Sequence, residues 1–298
     1  MVKEYLAHAE ANYPVYLATE WGPHLPVAIA MTLHALRVSY EVRKMLNING
    51  RLPMLHEVFV LLTLSFGGGI ISASLLGNPQ PWLVNNGMIP TYGLVYLAVG
   101  FFPGDFVFQL LRLLSPASDI FLAAVDGAIR GYGVTVAGVE MVRNMDGPIS
   151  QSLTAMLVIG TVLGCGGGII EDVIQMSKRS WALRTPTFFQ RPNVDMGITF
   201  TTVVFYIFST RLWRFDDQHP GLIGAAWLDA IIEWMIPELA PETARVLCGL
   251  FCAGALSYKA LGDHRQYQGW LKKSALTPTP TVAAAPELNE KEDTKKDQ

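Results

Sequence analysis

The sequence predicts an all-α membrane protein with seven transmembrane helices, built as two inverted three-helix repeats followed by a seventh helix. Three observations support this fold class. Only 16% of the 298 residues are charged, well below the roughly 25% of an ordinary soluble domain. Residues 58–104 and 147–170 contain no Asp, Glu, Lys or Arg. The run Gly-Gly-Gly-Ile-Ile occurs at 67–71 and again at 166–170, which indicates an internal repeat.

The spans follow from the apolar stretches. Residues 1–22 contain Lys3, Glu4 and Glu10, so we interpret them as a luminal N-terminal segment rather than a cleavable signal peptide. Stretches of about 20 mainly apolar residues predict spans at 23–43, 55–77, 90–112, 117–140, 150–172, 195–214 and 243–262. Spans one to three form the first repeat, 23–112, and spans four to six the second, 117–214. Because three is odd, the second repeat enters the membrane inverted.

The distribution of Lys and Arg predicts the orientation. These residues concentrate on one side of the predicted membrane, which is therefore cytoplasmic. The other side holds only Lys3, Arg143, Arg211, Arg214 and Arg245. The N-terminus is then luminal, and the seventh helix, 243–262, leads into a cytoplasmic tail. The composition of residues 263–298 predicts that this tail is disordered. Near its end, Lys295 and Lys296 resemble a dilysine retrieval signal of endoplasmic-reticulum membrane proteins, although a solvated charge run has the same composition.

The luminal connection 215–242 has an amphipathic pattern. Asp229 and Glu233 lie opposite an apolar stripe, which predicts a short helix in the membrane interface. The stripe consists of Trp227, Leu228, Ile231, Ile232, Trp234 and Met235. The acidic residues of this connection either form a solvated face or sense luminal calcium.

The two glycine triplets are the first candidate site, and each lies in the middle span of its repeat. Three glycines in succession weaken a helix and favour a kink. Close helix packing through small residues is the other interpretation. Because the triplets match in inverted halves, we expect kinked helices that flank a conduction path. The triplets are Gly67, Gly68 and Gly69, and Gly166, Gly167 and Gly168.

Ionisable residues within the spans are the second group of candidates, because intramembrane charges usually face the bundle interior. Arg130 lies one helical turn from Asp126, so this pair is either a buried ion pair or a functional site. Asp105 follows Pro103 and Gly104. It could contact a cation, pair with Arg130, or cap a helix.

Other classes of function lack support in the sequence. The six histidines are scattered, and no H-E-x-x-H, G-x-S-x-G or phosphate-loop motif is present, so we expect no enzyme. The net charge of −3 gives no basic footprint for nucleic acid. Cys165, Cys248 and Cys252 form no C-x-x-C pair, which indicates packing residues rather than a metal site or a disulfide framework.

Several runs resemble the trimeric intracellular cation (TRIC) channel family. They are Phe-Gly-Gly-Gly-Ile-Ile-Ser at 66–72, Gly-Cys-Gly-Gly-Gly-Ile-Ile at 164–170 and Phe-Pro-Gly-Asp at 102–105. The similarity covers about residues 20–262. The family's fourth span usually carries Lys-Glu-Val-x-Arg, whose Lys and Arg hold a phosphoinositide lipid. Here the corresponding segment, 126–130, reads Asp-Gly-Ala-Ile-Arg, so the arginine matches and Asp126 replaces the lysine.

The resemblance implies a homotrimeric potassium channel of the endoplasmic or sarcoplasmic reticulum membrane. Its current would balance the charge moved by calcium release, with potassium ions and membrane lipids as partners. A phosphoinositide is the one cofactor the resemblance suggests, and Asp126 argues against it because a carboxylate repels a phosphate. A secondary transporter with inverted repeats and a non-conducting member of the channel family are the alternatives.

Overall fold

The computed structural model describes residues 2–22, 25–190, 193–214 and 226–276 and is mostly helical. A short antiparallel hairpin, β1 Glu20–Gly22 with β2 Leu25–Ala28, joins the first two helices. A π-helical segment, Val134–Glu140, makes the helix Ala117–Arg143 continuous. The helices are α1 Val2–Ala18, α2 Ile29–Asn49, α3 Met54–Leu76, α4 Pro81–Val84, α5 Met88–Phe101, α6 Phe106–Leu113, α7 Ala117–Gly133, α8 Met141–Arg143, α9 Leu153–Ile174, α10 Val194–Ser209, α11 Ala226–Met235 and α12 Pro241–Leu276.

The chain is a multi-pass membrane protein. Within the described residues, four helices are long and apolar enough to cross a membrane: α3, Ala117–Arg143, α9 and α12 over Pro241–Ser274. A fifth is added if α5 and α6 count as one bent span. The 16 residues of α10 extend over less than the roughly 30 Å of a bilayer core. Length and apolar character alone therefore support four or five spans, and the seven-span plan remains a prediction.

The third predicted span, 90–112, is not one straight helix. Phe102 is extended, with φ −64° and ψ 141°, as expected for a residue that precedes proline. Gly104 and Asp105 then adopt positive φ angles of 68° and 54°, which a helix cannot contain. As a result α5 and α6 meet at an angle of 84°.

Several other predicted boundaries need correction. The segment 1–22 contains α1, and the first predicted span, 23–43, corresponds to α2, which begins only after the hairpin. The sixth predicted span, 195–214, ends as a helix at Ser209.

The seventh helix extends through residue 276, so residues 263–276 are helical rather than part of a disordered tail. Tertiary contacts hold this extension. The Asn47 side-chain amide donates a hydrogen bond to the Tyr267 hydroxyl at 2.8 Å, and His264 Nδ1 lies 2.6 Å from Ser115 Oγ. Residues 277–298, with Lys295 and Lys296, lie outside the described residues.

Two hydrophobic cores are centred on the two halves, and each also includes a buried residue of the other half. The first includes Val42, Leu61 and Tyr96 from α2, α3 and α5. The second includes Met156 and Tyr206 from α9 and α10, with residues of Ala117–Arg143 and α12. The three cysteines are buried, in agreement with the packing role predicted from the sequence.

Candidate functional site

The two halves meet where α3 and α9 cross at the glycine triplets. A Cβ atom added at Gly67 would lie 2.7 Å from the Cα of Gly167, and one at Gly166 would lie 2.6 Å from the Cα of Gly68. At Gly68 and Gly167 an added Cβ would overlap a backbone carbonyl of the facing helix. Only glycine permits backbones to approach this closely.

The kink that the sequence favours at each triplet stays a prediction, and neither helix is broken there. Both triplets are α-helical, within uninterrupted helices over Met54–Leu76 and Leu153–Ile174. Close packing, the second interpretation of the triplets, therefore accounts for glycine at positions 67, 68, 166 and 167. The cost of glycine within a helix, about 1 kcal/mol relative to alanine, is offset by the contact between the two backbones.

A cavity of about 690 Å³ lies beside this crossing, lined by residues of both halves and of α12. Gly68, Gly69, Gly167 and Gly168 are among its lining residues, whereas Gly67 and Gly166 are not. A Cβ added at Gly69 would meet only Pro81 Cγ at 3.9 Å, and one at Gly168 would meet nothing within 4 Å. The last glycine of each triplet thus borders open space.

Charged side chains from three helices alternate in sign along one wall of the cavity. One guanidinium nitrogen of Arg130 lies 3.2 Å from a carboxylate oxygen of Asp126. A second guanidinium nitrogen lies 3.2 Å from a carboxylate oxygen of Asp195 on α10. The second Asp195 oxygen lies 3.3 Å from the ammonium group of Lys259 on α12. His34 Nε2 approaches Asp126 at 3.5 Å. All five residues line the cavity.

This alternation of sign explains why buried charges are tolerated in the cavity wall. The side chains of Arg130 and Asp126 are only 18% and 11% exposed. A buried charge is tolerated when it is paired and hydrogen-bonded. The predicted Arg130 and Asp126 site is therefore one section of a longer ion-pair chain that also links α7 to α10 and α12.

Asp105 belongs to a different site. Its carboxylate accepts a hydrogen bond from the Arg43 guanidinium at 2.6 Å, so its partner is Arg43 rather than Arg130. No side-chain capping hydrogen bond forms at the start of α6, because Asp105 has a left-handed backbone conformation. Asp105 instead anchors the break between α5 and α6 to α2.

A family model for the TRIC channel matches residues 50–220, more than half of the chain. The chain belongs to the TRIC channel family. It is similar to a structure described as the basis for the activity of TRIC counter-ion channels in calcium release, with a TM-score of 0.54 and 21% identity over 70% of this chain and 91% of that one.

Two structures of a trimeric intracellular cation channel from C. elegans also resemble this TRIC-family chain. The one with bound Ca²⁺ has a TM-score of 0.59 and 17% identity over 87% of this chain and 97% of that one. The one without Ca²⁺ has a TM-score of 0.56 and 18% identity over 88% and 97%. At these identities the similarity establishes the fold. Comparison with curated proteins gives no match.

In this TRIC-family member the cavity cations Arg130 and Lys259 are paired with carboxylates of the chain, and the absence of a bound phosphoinositide stays a prediction. Arg130 has a carboxylate partner at each of two guanidinium nitrogens, and Lys259 has Asp195 and Asp263 at 3.3 and 3.1 Å. A phosphate binds where cations and donors are available. Here the chain's own carboxylates already occupy those donors.

Sequence reasoning found Arg130 and Asp126 but missed Asp195, Lys259 and His34. Asp195 is at the very start of a predicted span, and Lys259 is near the end of another, where charges are common. The opposed charges at the predicted cytoplasmic ends of predicted spans six and seven were the only available signal. Their pairing with Arg130 depends on how three helices pack.

A second type of ionic cluster occurs once in each half. Glu57 is fully buried and accepts hydrogen bonds from Arg51 at 2.7 and 2.9 Å and from the Tyr96 hydroxyl at 2.8 Å. Burial tends to lower the pKa of Arg51, which lies in the loop before α3, but hydrogen bonding to Glu57 and its charge raise this pKa overall. The Arg51 guanidinium therefore keeps its positive charge beside Glu57.

The second cluster has the same chemistry at the opposite end of the helices. Arg245 at the start of α12 donates to Glu140 at 2.7 and 3.1 Å, and the Tyr206 hydroxyl donates to the same carboxylate. We call these two groups, Arg51 with Glu57 and Tyr96, and Arg245 with Glu140 and Tyr206, the Tyr-Glu-Arg clusters. Each ties a helix of its half to a neighbouring segment.

The connection before α12 contains α11, Ala226–Met235, within the stretch 215–242 where the sequence predicts an interfacial helix. Trp227, Ile231, Trp234 and Met235 are exposed, and Glu233 pairs with Arg214. Among the described residues, no group of three His, Cys, Asp or Glu side chains could hold a metal ion. Asp216 and Asp217 lie outside the described residues, so calcium sensing stays a prediction.

Proposed function

We propose that this TRIC-family protein is a potassium channel of the endoplasmic or sarcoplasmic reticulum membrane that supplies counter-ion current during calcium release. The observation that carries the proposal is the cavity of about 690 Å³ between the two halves, with alternating charges on its wall. Polar groups within a membrane are expensive and mark ion pathways. Membership of the TRIC channel family and similarity to TRIC counter-ion channels in calcium release agree with this role.

The seven-span inverted-repeat plan is part of this proposal. Its supports are the crossing of the two glycine triplets and the two Tyr-Glu-Arg clusters at opposite ends of the helices, as an inverted repeat requires. We also propose a homotrimer, since the similar C. elegans protein is called trimeric. In this arrangement the N-terminus is luminal and the C-terminus is cytoplasmic.

A planar-bilayer recording of the purified protein under a potassium chloride gradient tests the proposal. We expect unitary current steps that reverse near the potassium equilibrium potential. Electrically silent exchange would instead favour a secondary transporter, for which Asp126 beside His34 could serve as the coupling carboxylate. Reconstituted protein that carries no flux of either kind would identify a non-conducting subunit of the family.

The reticulum location has a separate test. Replacement of Lys295 and Lys296 with serine should allow a share of the protein to reach the cell surface, measured by surface biotinylation. Substitution of Lys272 and Lys273, which are also near the C-terminus, is the matched control. Unchanged retention of the Lys295 and Lys296 variant would refute the dilysine signal and leave the channel proposal intact.

A further inference from the structure

Asp195 lies where three positive features of the cavity converge. It belongs to the first turn of α10, and the Asn193 side chain caps this helix by accepting a hydrogen bond from the Asp195 backbone amide at 2.9 Å. The two oxygens of its carboxylate contact Arg130 and Lys259 at 3.2 and 3.3 Å. A helix N-terminus carries a partial positive charge, so a single carboxylate faces two side-chain cations and a helix dipole.

Without Asp195, the side chains of Arg130 and Lys259 and the N-terminus of α10 would together suit a bound anion. Helix N-termini flanked by Arg and Lys are typical anion sites. The Asp195 side chain is 29% exposed and lines the cavity, which places its charge at the surface that a passing ion meets. Asp195 thus occupies the position of a bound anion, but it is covalently attached to the chain.

The charge balance of the cavity depends on this carboxylate. The side chains that line the cavity include three cations, Arg37, Arg130 and Lys259, and three carboxylates, Glu41, Asp126 and Asp195. Loss of Asp195 alone leaves one excess positive charge. Within a cavity with low-dielectric walls, an excess charge strongly changes the local concentration of ions of each sign.

We propose that Asp195 determines the charge selectivity of the cavity by filling an anion-binding position between Arg130 and Lys259. With Asp195 present, the wall is neutral and chloride finds no free cation. Without it, Arg130, Lys259 and the N-terminus of α10 attract anions into the pathway. The inference rests on the proposed channel function for its effect on current, but the anion-binding position is a property of the site itself.

Reversal potentials under a potassium chloride gradient provide the first test. Asp195→Asn should lower the ratio of potassium to chloride permeability roughly fivefold or more, whereas Lys259→Met should raise it. The double variant, Asp195→Asn with Lys259→Met, restores the charge balance and should return the ratio close to that of the wild type. Opposite shifts that cancel are not expected from a merely structural role.

Asp263→Asn is the matched control. It also removes a carboxylate partner of Lys259, at 3.1 Å, but Asp263 is not among the residues that line the cavity. The ratio should therefore change little. An unchanged ratio in Asp195→Asn, or equal shifts in Asp195→Asn and Asp263→Asn, would overturn the proposal.

The second test does not require current. Inorganic phosphate should raise the thermal unfolding midpoint of purified Asp195→Asn, because a ligand that binds only the folded state stabilises it. It should not raise the midpoint of the wild type or of the double variant.

If the wild type conducts no ions, the channel proposal fails, and the phosphate response still decides whether Asp195 fills an anion site. If phosphate stabilises all variants equally or none, the anion-site inference is wrong. If Asp195→Asn does not fold, the raised ratio expected for Lys259→Met decides the question, and a ratio that stays the same or falls contradicts the proposal.

Discussion

At the scale of single residues, Arg130 is held by more than the sequence indicates. It pairs with Asp126 within α7 and with Asp195 from α10, each at 3.2 Å. A buried ion pair contributes little net stability, but removal of one partner leaves an uncompensated charge. The role of Arg130 is therefore both to hold α7 against α10 and to contribute a charge to the cavity wall.

Substitution Arg130→Ala should destabilise the protein strongly. Two carboxylates lose a partner, and the expected cost is on the order of 3–5 kcal/mol. The thermal unfolding midpoint of detergent-purified protein measures the effect. Arg184→Ala, at an exposed position of the connection before α10, is the control and should change the midpoint little. A midpoint of Arg130→Ala equal to that of the control would contradict a structural role for the pair.

Substitution Asp126→Lys should create phosphoinositide binding that the wild type lacks. It rebuilds the basic pair implied by the family motif, because the introduced lysine would lie one turn from Arg130 with no carboxylate on α7 between them. Binding to vesicles that contain a phosphatidylinositol bisphosphate measures this gain. Asp126→Asn, which removes the acid without adding a base, should gain less. Tight binding by the wild type, abolished in well-folded Arg130→Ala, would show that Arg130 alone anchors the lipid.

At the scale of the elements, each glycine triplet contains two kinds of position. In α3, Gly67 and Gly68 contact the backbone of α9, and Gly69 borders open space. In α9, Gly166 and Gly167 make the reciprocal contacts, and Gly168 has no neighbour within 4 Å of an added Cβ. The helical crossing therefore depends on the first two members of each triplet.

Alanine substitutions should separate the two kinds of position. Gly68→Ala and Gly167→Ala place a methyl group against a backbone carbonyl, and we expect a loss of about 1–3 kcal/mol or more from overpacking. Gly69→Ala and Gly168→Ala are the matched controls, and they should be neutral or stabilising by up to about 1 kcal/mol through helix propensity. Thermal midpoints of the four variants test this. Equal behaviour of all four would refute the close-packing interpretation.

The Tyr-Glu-Arg cluster around Glu57 should contribute measurably to stability. Arg51→Ala leaves a fully buried carboxylate without its cation, and we expect a loss of about 3 kcal/mol, at the low end of the cost of an uncompensated charge because the Arg51 side chain is 37% exposed. Tyr96→Phe removes only one of several donors and should cost about 1 kcal/mol. Denaturation of both variants in one detergent gives the comparison, and an equal loss would show that Arg51 is not the main partner.

At the scale of the whole molecule, the two halves meet at the crossing of α3 and α9, and α12 joins the second half. An added Cβ at Gly131 of α7 would lie 2.6 Å from the Cα of Gly249 of α12. The seventh helix is thus fitted to the bundle as tightly as the halves are to each other. Residues of both halves and of α12 line the cavity.

The topology prediction belongs to this scale. A protease added outside sealed reticulum vesicles should remove an epitope placed after Leu276, because the tail is expected on the cytoplasmic side. An epitope at the N-terminus should remain protected and serves as the internal control. Protection of the C-terminal epitope would show that the predicted orientation is wrong.

The sequence by itself determined the helical membrane class, the family and the position of the internal repeat. Each follows from local composition or from identical runs, such as Gly-Gly-Gly-Ile-Ile, which do not depend on packing. The sequence also located Arg130 and Asp126, because residues four apart on a helix are neighbours.

The tertiary structure decided which partners these residues have. Asp195 and Lys259 are distant from Arg130 along the chain, and only the packing of α7, α10 and α12 brings Arg130 and Lys259 to within 3.2 and 3.3 Å of the Asp195 carboxylate. The glycines likewise allow either a kink or a close contact when considered alone, and only the facing backbone of α9 reveals the contact. Long-range packing is not encoded in any local pattern, so the neutral charge balance of the cavity could be recognised only in the folded chain.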